Sequence, residues 1–258
     1  GSCTYPAPAC STLTSIPDAN FENYLETHEG VGMFAWMFPV TWPNGMGNGI
    51  NPDGFVCTDR IDSITQLFGI GLDATPAPST NNIESLVGIE DFAALEMLEC
   101  RSNLLTTIDI SENINLASCT VDDNQLTSII TSTPASTAIA LSYLNCFDNE
   151  LTTLDLSNNT NLTSLRCENN LLTTLDLSSN TALVYLDISD NSTFTVPIDL
   201  RNGNNNNMTT MNASGVNAII VYVDNPSTWR ANWTIAVSGW HPGTQFCASP
   251  GVGCLPAI

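Results

Sequence analysis

The amino-acid sequence predicts a mainly β solenoid, built of stacked coils with two short strands per coil, a short N-terminal capping helix and an irregular C-terminal cap. Three observations predict it. Leucines open equivalent units at Leu95, Leu116, Leu141, Leu162 and Leu183, at intervals of 21, 25, 21 and 21 residues. Asparagine falls at the ninth place of every unit, as Asn103, Asn124, Asn149, Asn170 and Asn191, and repeated matches in one register mark a repeat architecture. Apolar residues make up 43% of the 258-residue chain, so a core can form and the chain is not disordered.

Along the chain, residues 1–15 read as a polar N-terminal tail in which Cys3 and Cys10 are close enough to form a local disulfide. Residues 16–94 read as an N-terminal cap. Pro17-Asp18 starts its short helix, with Asp18 as N-cap and Phe21, Tyr24 and Leu25 on one face. Residues 30–56, rich in Gly, Asn and aromatics, read as an irregular capping loop, and Cys57 as a free thiol inside the cap. Residues 74–82 form a turn or insertion, and Glu90-Asp91 a capping turn. The solenoid occupies residues 95–200, with the extra residues of its 25-residue unit bulging at 131–140. Residues 201–258 hold a degenerate last repeat, marked by Met208 and Met211, and a Trp-rich terminal cap pinned by a Cys247–Cys254 disulfide.

Within a unit, the alternation L-x-x-L-x-C directs the fourth and sixth positions inward on one face of a short strand. Stacked coils then pair these strands about 4.8 Å apart in a parallel sheet. The ninth-position Asn turns the chain inward, and its amide can bond backbone groups of adjacent coils in a buried ladder. Cys100, Cys146 and Cys167 take the sixth position, where Val121 and Ile188 sit in other units, and Cys119 takes the fourth. Exchange with Val and Ile argues for core packing rather than a metal ladder. The segment L-T-T-L-D-L-S supplies the second strand.

These units, read as LTSLRCENNLLTTLDLSSNTA from Leu162 to Ala182 and LSYLNCFDNELTTLDLSNNTN from Leu141 to Asn161, resemble the leucine-rich repeats of the bacterial 21-residue subtype, LxxLxLxxNxLxxLDLxxN. The segments IPDANFENYL (from Ile16), LVGIEDFAALEML (from Leu86) and VDNPSTWRANWT (from Val223) are similar to those of secreted Bacteroidota surface proteins of that type. The resemblance implies a secreted or cell-surface location and a protein that binds. Proteins of that type commonly carry a C-terminal sorting domain in their precursors.

Composition excludes several function classes. The formal net charge is -21, with five arginines and no lysine, so the chain cannot neutralise the phosphates of nucleic acid or of an anionic membrane. Schiff-base and P-loop chemistry are excluded with lysine. No apolar run reaches the roughly 18 residues of a membrane span, and no basic region precedes an apolar one, so the sequence reads as that of a mature chain. Nine cysteines in an acidic, Asn/Thr-rich chain point to an oxidising compartment. No catalytic residues, metal or cofactor are expected. The two histidines, His28 and His241, stand in opposite terminal regions without a nucleophile motif. Adjacent acids such as Asp122-Asp123 read as turn residues. Around Gly54 the loop offers Gly49, Asn51, Asp53 and Arg60 at calcium-loop positions one, three, five and twelve, without the first carboxylate and last glutamate that calcium requires.

Candidate contact residues come from the outward strand positions. The third position reads Met97, Ser118, Tyr143, Ser164, Tyr185; the fifth Glu99, Thr120, Asn145, Arg166, Asp187; the seventh Arg101, Asp122, Phe147, Glu168, Ser189. Aromatics and arginine dominate binding hot spots, which selects Met97, Glu99, Arg101, Tyr143, Phe147, Arg166, Tyr185 and Asp187. The alternative is a solvated sheet whose charges pair across strands, Arg166 beside Asp187 and Arg101 near Asp122. Thr106-Thr107, Thr127-Ser128, Thr152-Thr153 and Thr173-Thr174 form a second array, of hydroxyls at coil spacing, as an ice-binding face would. The sequence therefore predicts an extracellular adhesion or binding module for protein or glycan contact. Its rival is a homo-oligomeric structural subunit of a filament or surface layer.

Overall fold

A computed structural model describes residues 10–27, 31–32, 53–68, 82–132, 140–216, 220–227, 245–250 and 254–256. The cap comes first. Strand β1 (Leu13–Ser15) precedes helix α1 (Ala19–Thr27), and β2 (Val31–Gly32), β3 (Phe55–Cys57), α2 (Thr58–Ile61) and β4 (Ile64–Leu67) follow. The Asp18 carboxylate accepts the N–H groups of Asn20 and Phe21 at 2.9 and 3.0 Å, so the helix starts where the sequence places it. Its other oxygen accepts the N–H groups of Glu84 and Ser85 at 2.6 and 2.9 Å, tying the helix to the approach of the first coil. Phe21, Tyr24 and Leu25 are buried beneath it.

The tail contributes to this cap. Leu13–Ser15 pairs antiparallel with β3, opposing Leu13 to Cys57. That pairing carries Cys10 to Cys57, with a Cα–Cα separation of 5.3 Å and a disulfide between them. Cys10 is therefore bonded to Cys57 and not to its sequence neighbour Cys3, and Cys57 is no free thiol. Strand pairing across the cap brings the distant partner within reach, which chain proximity alone could not reveal.

The repeat then builds as its register demands. A 3₁₀ turn (Ile89–Asp91) leads into β5 (Met97–Glu99), β6 (Thr107–Asp109), β7 (Ser118–Thr120), β8 (Ser128–Ile130), β9 (Tyr143–Asn145), β10 (Ser164–Arg166) and β11 (Tyr185–Asp187). After them come β12 (Ile198–Asp199), a 3₁₀ turn (Asn205–Asn207), β13 (Thr210–Asn212), β14 (Ile220–Tyr222), β15 (Gln245–Cys247) and β16 (Leu255–Pro256). Among the described residues the main sheet runs β13-β11-β10-β9-β7-β5-β4-β2, parallel except for β2 at its edge. The third positions align across it as Met97, Ser118, Tyr143, Ser164, Tyr185 and Thr210. The sheet thus exceeds the five sequence units by β4 on one side and by the Met208–Met211 coil on the other. Second strands pair as β6–β8 and as β12–β14, and Asp176 forms a single bridge to Asp199.

The core is a stack of leucines closed by two asparagine ladders. The fourth-position Leu98, Leu144, Leu165 and Leu186 and the sixth-position Cys100, Cys146 and Cys167 are all 0% exposed. In the expected ladder, Asn170 donates to the carbonyls of Cys146, Cys167 and Glu168 and accepts the Leu151 N–H at 2.9 Å. Asn124, Asn149 and Asn191 repeat the pattern one coil apart. Asn103 begins it by accepting the Ile83 N–H at 3.1 Å. Asn191 is 0% exposed. The second ladder escaped the sequence reading. Asn113, Asn159, Asn180 and Asn202 are buried, with Asn180 donating to the Leu156 and Asn159 carbonyls and Asn202 to that of Asn180. The last N of the repeat pattern is its signal.

The Cys247–Cys254 disulfide forms as expected, with Cα atoms 4.1 Å apart, where β15 turns back antiparallel onto β16. Cys3, His28, His241, the loop through residue 52, most of the 131–140 bulge and the Trp-rich segment 228–244 lie outside the described residues.

Candidate binding face

Period-2 geometry leaves the third, fifth and seventh positions of each coil on the sheet face opposite the leucines. With neighbours only one strand spacing away, much of this outward layer is covered by itself. Thr120, Asp122, Asn145, Asp187 and Ser189 are each at most 9% exposed, whereas Met97, Tyr143, Phe147, Arg166 and Tyr185 remain partly open. Asp187 is thus a correction to the contact set. Its carboxylate accepts from the Ser189 hydroxyl at 2.6 Å and from the Asn212 amide at 3.0 Å, and it orients the face from below.

The charges also pair differently from the cross-strand scheme. Arg101 bonds Glu99, and Arg166 bonds Glu168, each to the residue two places away on the same side of its own strand. Asp122 instead accepts the Asn145 amide at 3.0 Å. Arg166 further lies over the Phe147 ring of the preceding coil, 4.9 Å from its centroid, a cation–π contact that directs the guanidinium toward the seventh-position row. Burial pushes the Asp122 carboxyl above the usual carboxylate range, against the opposing pull of Arg101. Burial does the same to Glu168, partly offset by hydrogen bonding and by Arg166. Tyr185 is raised by desolvation and then by Asp187.

At the rim, the eighth position turns the chain out of the sheet with positive φ, between 50 and 55°, at Ser102, Asp123, Asp148, Asn169 and Asp190. Asn and Asp, which fill four of these five places, are the non-glycine residues best suited to that conformation. Ser102 bonds Asp123 at 2.8 Å and Asn169 bonds Asp148, so the row runs from coil to coil. This acidic rim was legible in the eighth-position residues, and the sequence reading passed over it.

On the second-strand side, the threonine array is engaged within the protein. The hydroxyls of Thr127 and Thr173 donate to the Thr106 and Thr152 carbonyls of the preceding coil, each at 3.2 Å. Between the two most regular coils lies a shallow depression of about 280 Å³, lined by Thr153, Asp155, Ser157, Thr174, Asp176 and Ser178 among others. Asp155 and Asp176 turn their carboxylates back onto the N–H groups of Ser157 and Ser178. Among the described residues no group of three or more His, Cys, Asp and Glu is placed to hold a metal ion. No helix among them is long and apolar enough to cross a membrane.

No protein family and no curated protein matches the chain. Solved structures do. The functional domain of InlJ from Listeria monocytogenes, described as including a cysteine ladder, aligns over 91% of this chain at 19% identity and a TM-score of 0.33. This chain spans 62% of that domain's length. An internalin, InlF, of the same organism aligns over 96% of this chain and 75% of its own, at 17% identity and a TM-score of 0.49. A leucine-rich-repeat protein of Leptospira interrogans aligns over 62% of this chain and 50% of its own, at 16% identity and a TM-score of 0.42. These likenesses concern coil architecture alone.

Proposed function

We propose that the protein is an extracellular binding module that engages a protein partner through the outward face of its main sheet. The observation that carries this reading is the grouping of Tyr143, Phe147, Arg166 and Tyr185, partly open, on adjacent coils in strict register. A parallel sheet fastened by two buried ladders holds such side chains with little freedom to lose on binding. The two disulfides support a setting outside the reducing cytosol. An array of surface proteins and glycans, probed with the protein and with its Tyr143→Ala/Phe147→Ala/Tyr185→Ala variant, tests the reading. A bound ligand that the variant no longer holds supports it, and retention by the variant overturns the choice of face. Light scattering of the same preparation at high concentration tests self-assembly, which filaments would establish and discrete monomers would exclude.

A further inference from the structure

We infer that Asn202-Gly203 is a modification site, where the chain converts its own asparagine to aspartate or isoaspartate. Asp224 holds the reaction back, and the product releases the last rung of the second ladder. The inference is independent of the binding face. The sequence holds three Asn-Gly pairs, Asn44-Gly45, Asn48-Gly49 and Asn202-Gly203, and the last lies among the described residues. Glycine after asparagine opens this chemistry, because without a Cβ its nitrogen can approach the preceding side chain. The Gly203 nitrogen attacks Cγ of Asn202, and the new N–Cγ bond replaces the Cγ–Nδ2 bond. The proton lost from Gly203 leaves with the side-chain nitrogen as ammonia. Water then opens the succinimide at either carbonyl, giving aspartate or isoaspartate. Water is the only co-reactant.

The structure restrains both reacting groups. The Gly203 N–H donates to one oxygen of Asp224 at 3.0 Å, and the other oxygen accepts the Asn205 N–H at 3.2 Å. The Asp224 N–H closes this clasp by donating to Oδ1 of Asn205 at 2.8 Å. Asn202 is 5% exposed. Its amide donates to the Asn180 carbonyl at 3.0 Å, and its Oδ1 accepts the Asn204 N–H and the Asn205 amide at 2.9 and 3.2 Å. Nothing lies within 4 Å of the place a Gly203 Cβ would take, so hydrogen bonds rather than packing hold this turn. Reaction therefore waits on a local opening that frees the Gly203 N–H and turns the carboxamide. The product fails where the ladder needs it. A carboxylate has no N–H for the buried Asn180 carbonyl, and it adds a second negative charge beside the Asp224 clasp. Isoaspartate also lengthens the backbone by one atom inside the turn.

The test incubates the whole chain at neutral pH, folded and in concentrated urea, and follows aspartate and isoaspartate at position 202 by peptide mapping. The unfolded chain is expected to convert at least about tenfold faster than the folded one, and folded Asp224→Ala about tenfold faster than the folded parent. Asn170→Ala weakens the other ladder and leaves the clasp intact, so it is expected to convert as the parent does. Should Asp224→Ala not fold, Asp224→Asn, which retains one acceptor oxygen, carries the same expectation with a smaller increase. Equal rates in the folded and unfolded parent, no acceleration on loss of Asp224, or the same acceleration in Asn170→Ala would overturn the gating. Aspartate without isoaspartate would show direct hydrolysis and overturn the cyclic route. The effect of the product is read in Asn202→Asp by hydrogen exchange. Protection is expected to fall at 205–212 and to persist at Ser164–Arg166, and unchanged protection at 205–212 would overturn the release of the last rung.

Discussion

Asn170 shows what a single residue contributes to this fold. Its amide satisfies three carbonyls and one N–H, all buried between coils. Asn170→Ala strands them without water, so a loss of about 2–3 kcal/mol is expected, seen as a lower urea midpoint at constant slope. Asp122 carries the opposite lesson. Burial raises its carboxyl in the folded state, so the fold holds that proton more tightly than the unfolded chain does. The stabilisation this provides is complete below the ordinary carboxylate range and is lost as pH rises through the raised value. Asp122→Asn keeps the acceptor for Asn145 and removes the charge. It is expected to raise Tm at pH 7 and to match the parent near pH 3, as thermal melts at the two values would show. The core thiols behave as apolar side chains. Burial pushes Cys119 up to about 12 and raises Cys100, Cys146 and Cys167 further. Alkylation at these four sites, mapped by mass spectrometry, is expected only after unfolding.

At the scale of elements, the cap depends on two features that join distant segments. The Cys10–Cys57 bridge closes a 47-residue span, and its removal in a Cys10→Ser/Cys57→Ser variant is expected to cost about 3–4 kcal/mol in chemical denaturation. At Gly88 the backbone has φ 101°, and a Cβ would run into the Ile16 side chain and lie 2.7 Å from the Ser15 carbonyl. The segment before the first coil thereby packs flush against β1. The solenoid strands were readable because each coil repeats the same alternation, so one correct register places Leu98, Leu144, Leu165 and Leu186 together. The cap has no such redundancy. Ile64–Leu67 (ITQL) carries no repeat signature, and only its parallel pairing with β5 shows that it extends the stack.

For the molecule as a whole, -21 charges on 258 residues set up a self-repulsion that salt screens within about 10 Å at 0.1 M. Raising sodium chloride from low to physiological concentration is expected to raise Tm, and a flat or falling dependence would show that local pairing outweighs the net field. The register placed the outward side chains: Met97, Glu99, Arg101, Tyr143, Phe147, Arg166 and Tyr185 all stay partly open on one face. Asp187 was misjudged as a contact because alternation tells which side a residue faces and not how deeply its neighbours cover it.

The repeat alone determined the stack, its inward leucines and cysteines, its ninth-position ladder and the surface on which the aromatics gather, because a coil cannot bury its apolar positions without a copy beside it. Tertiary structure decided what lies outside that translation. It joined Cys10 to Cys57, paired Arg101 and Arg166 with Glu99 and Glu168 of their own coils, and sank Asp122 and Asp187 beneath neighbouring side chains. Those outcomes depend on distances between segments that no periodicity specifies.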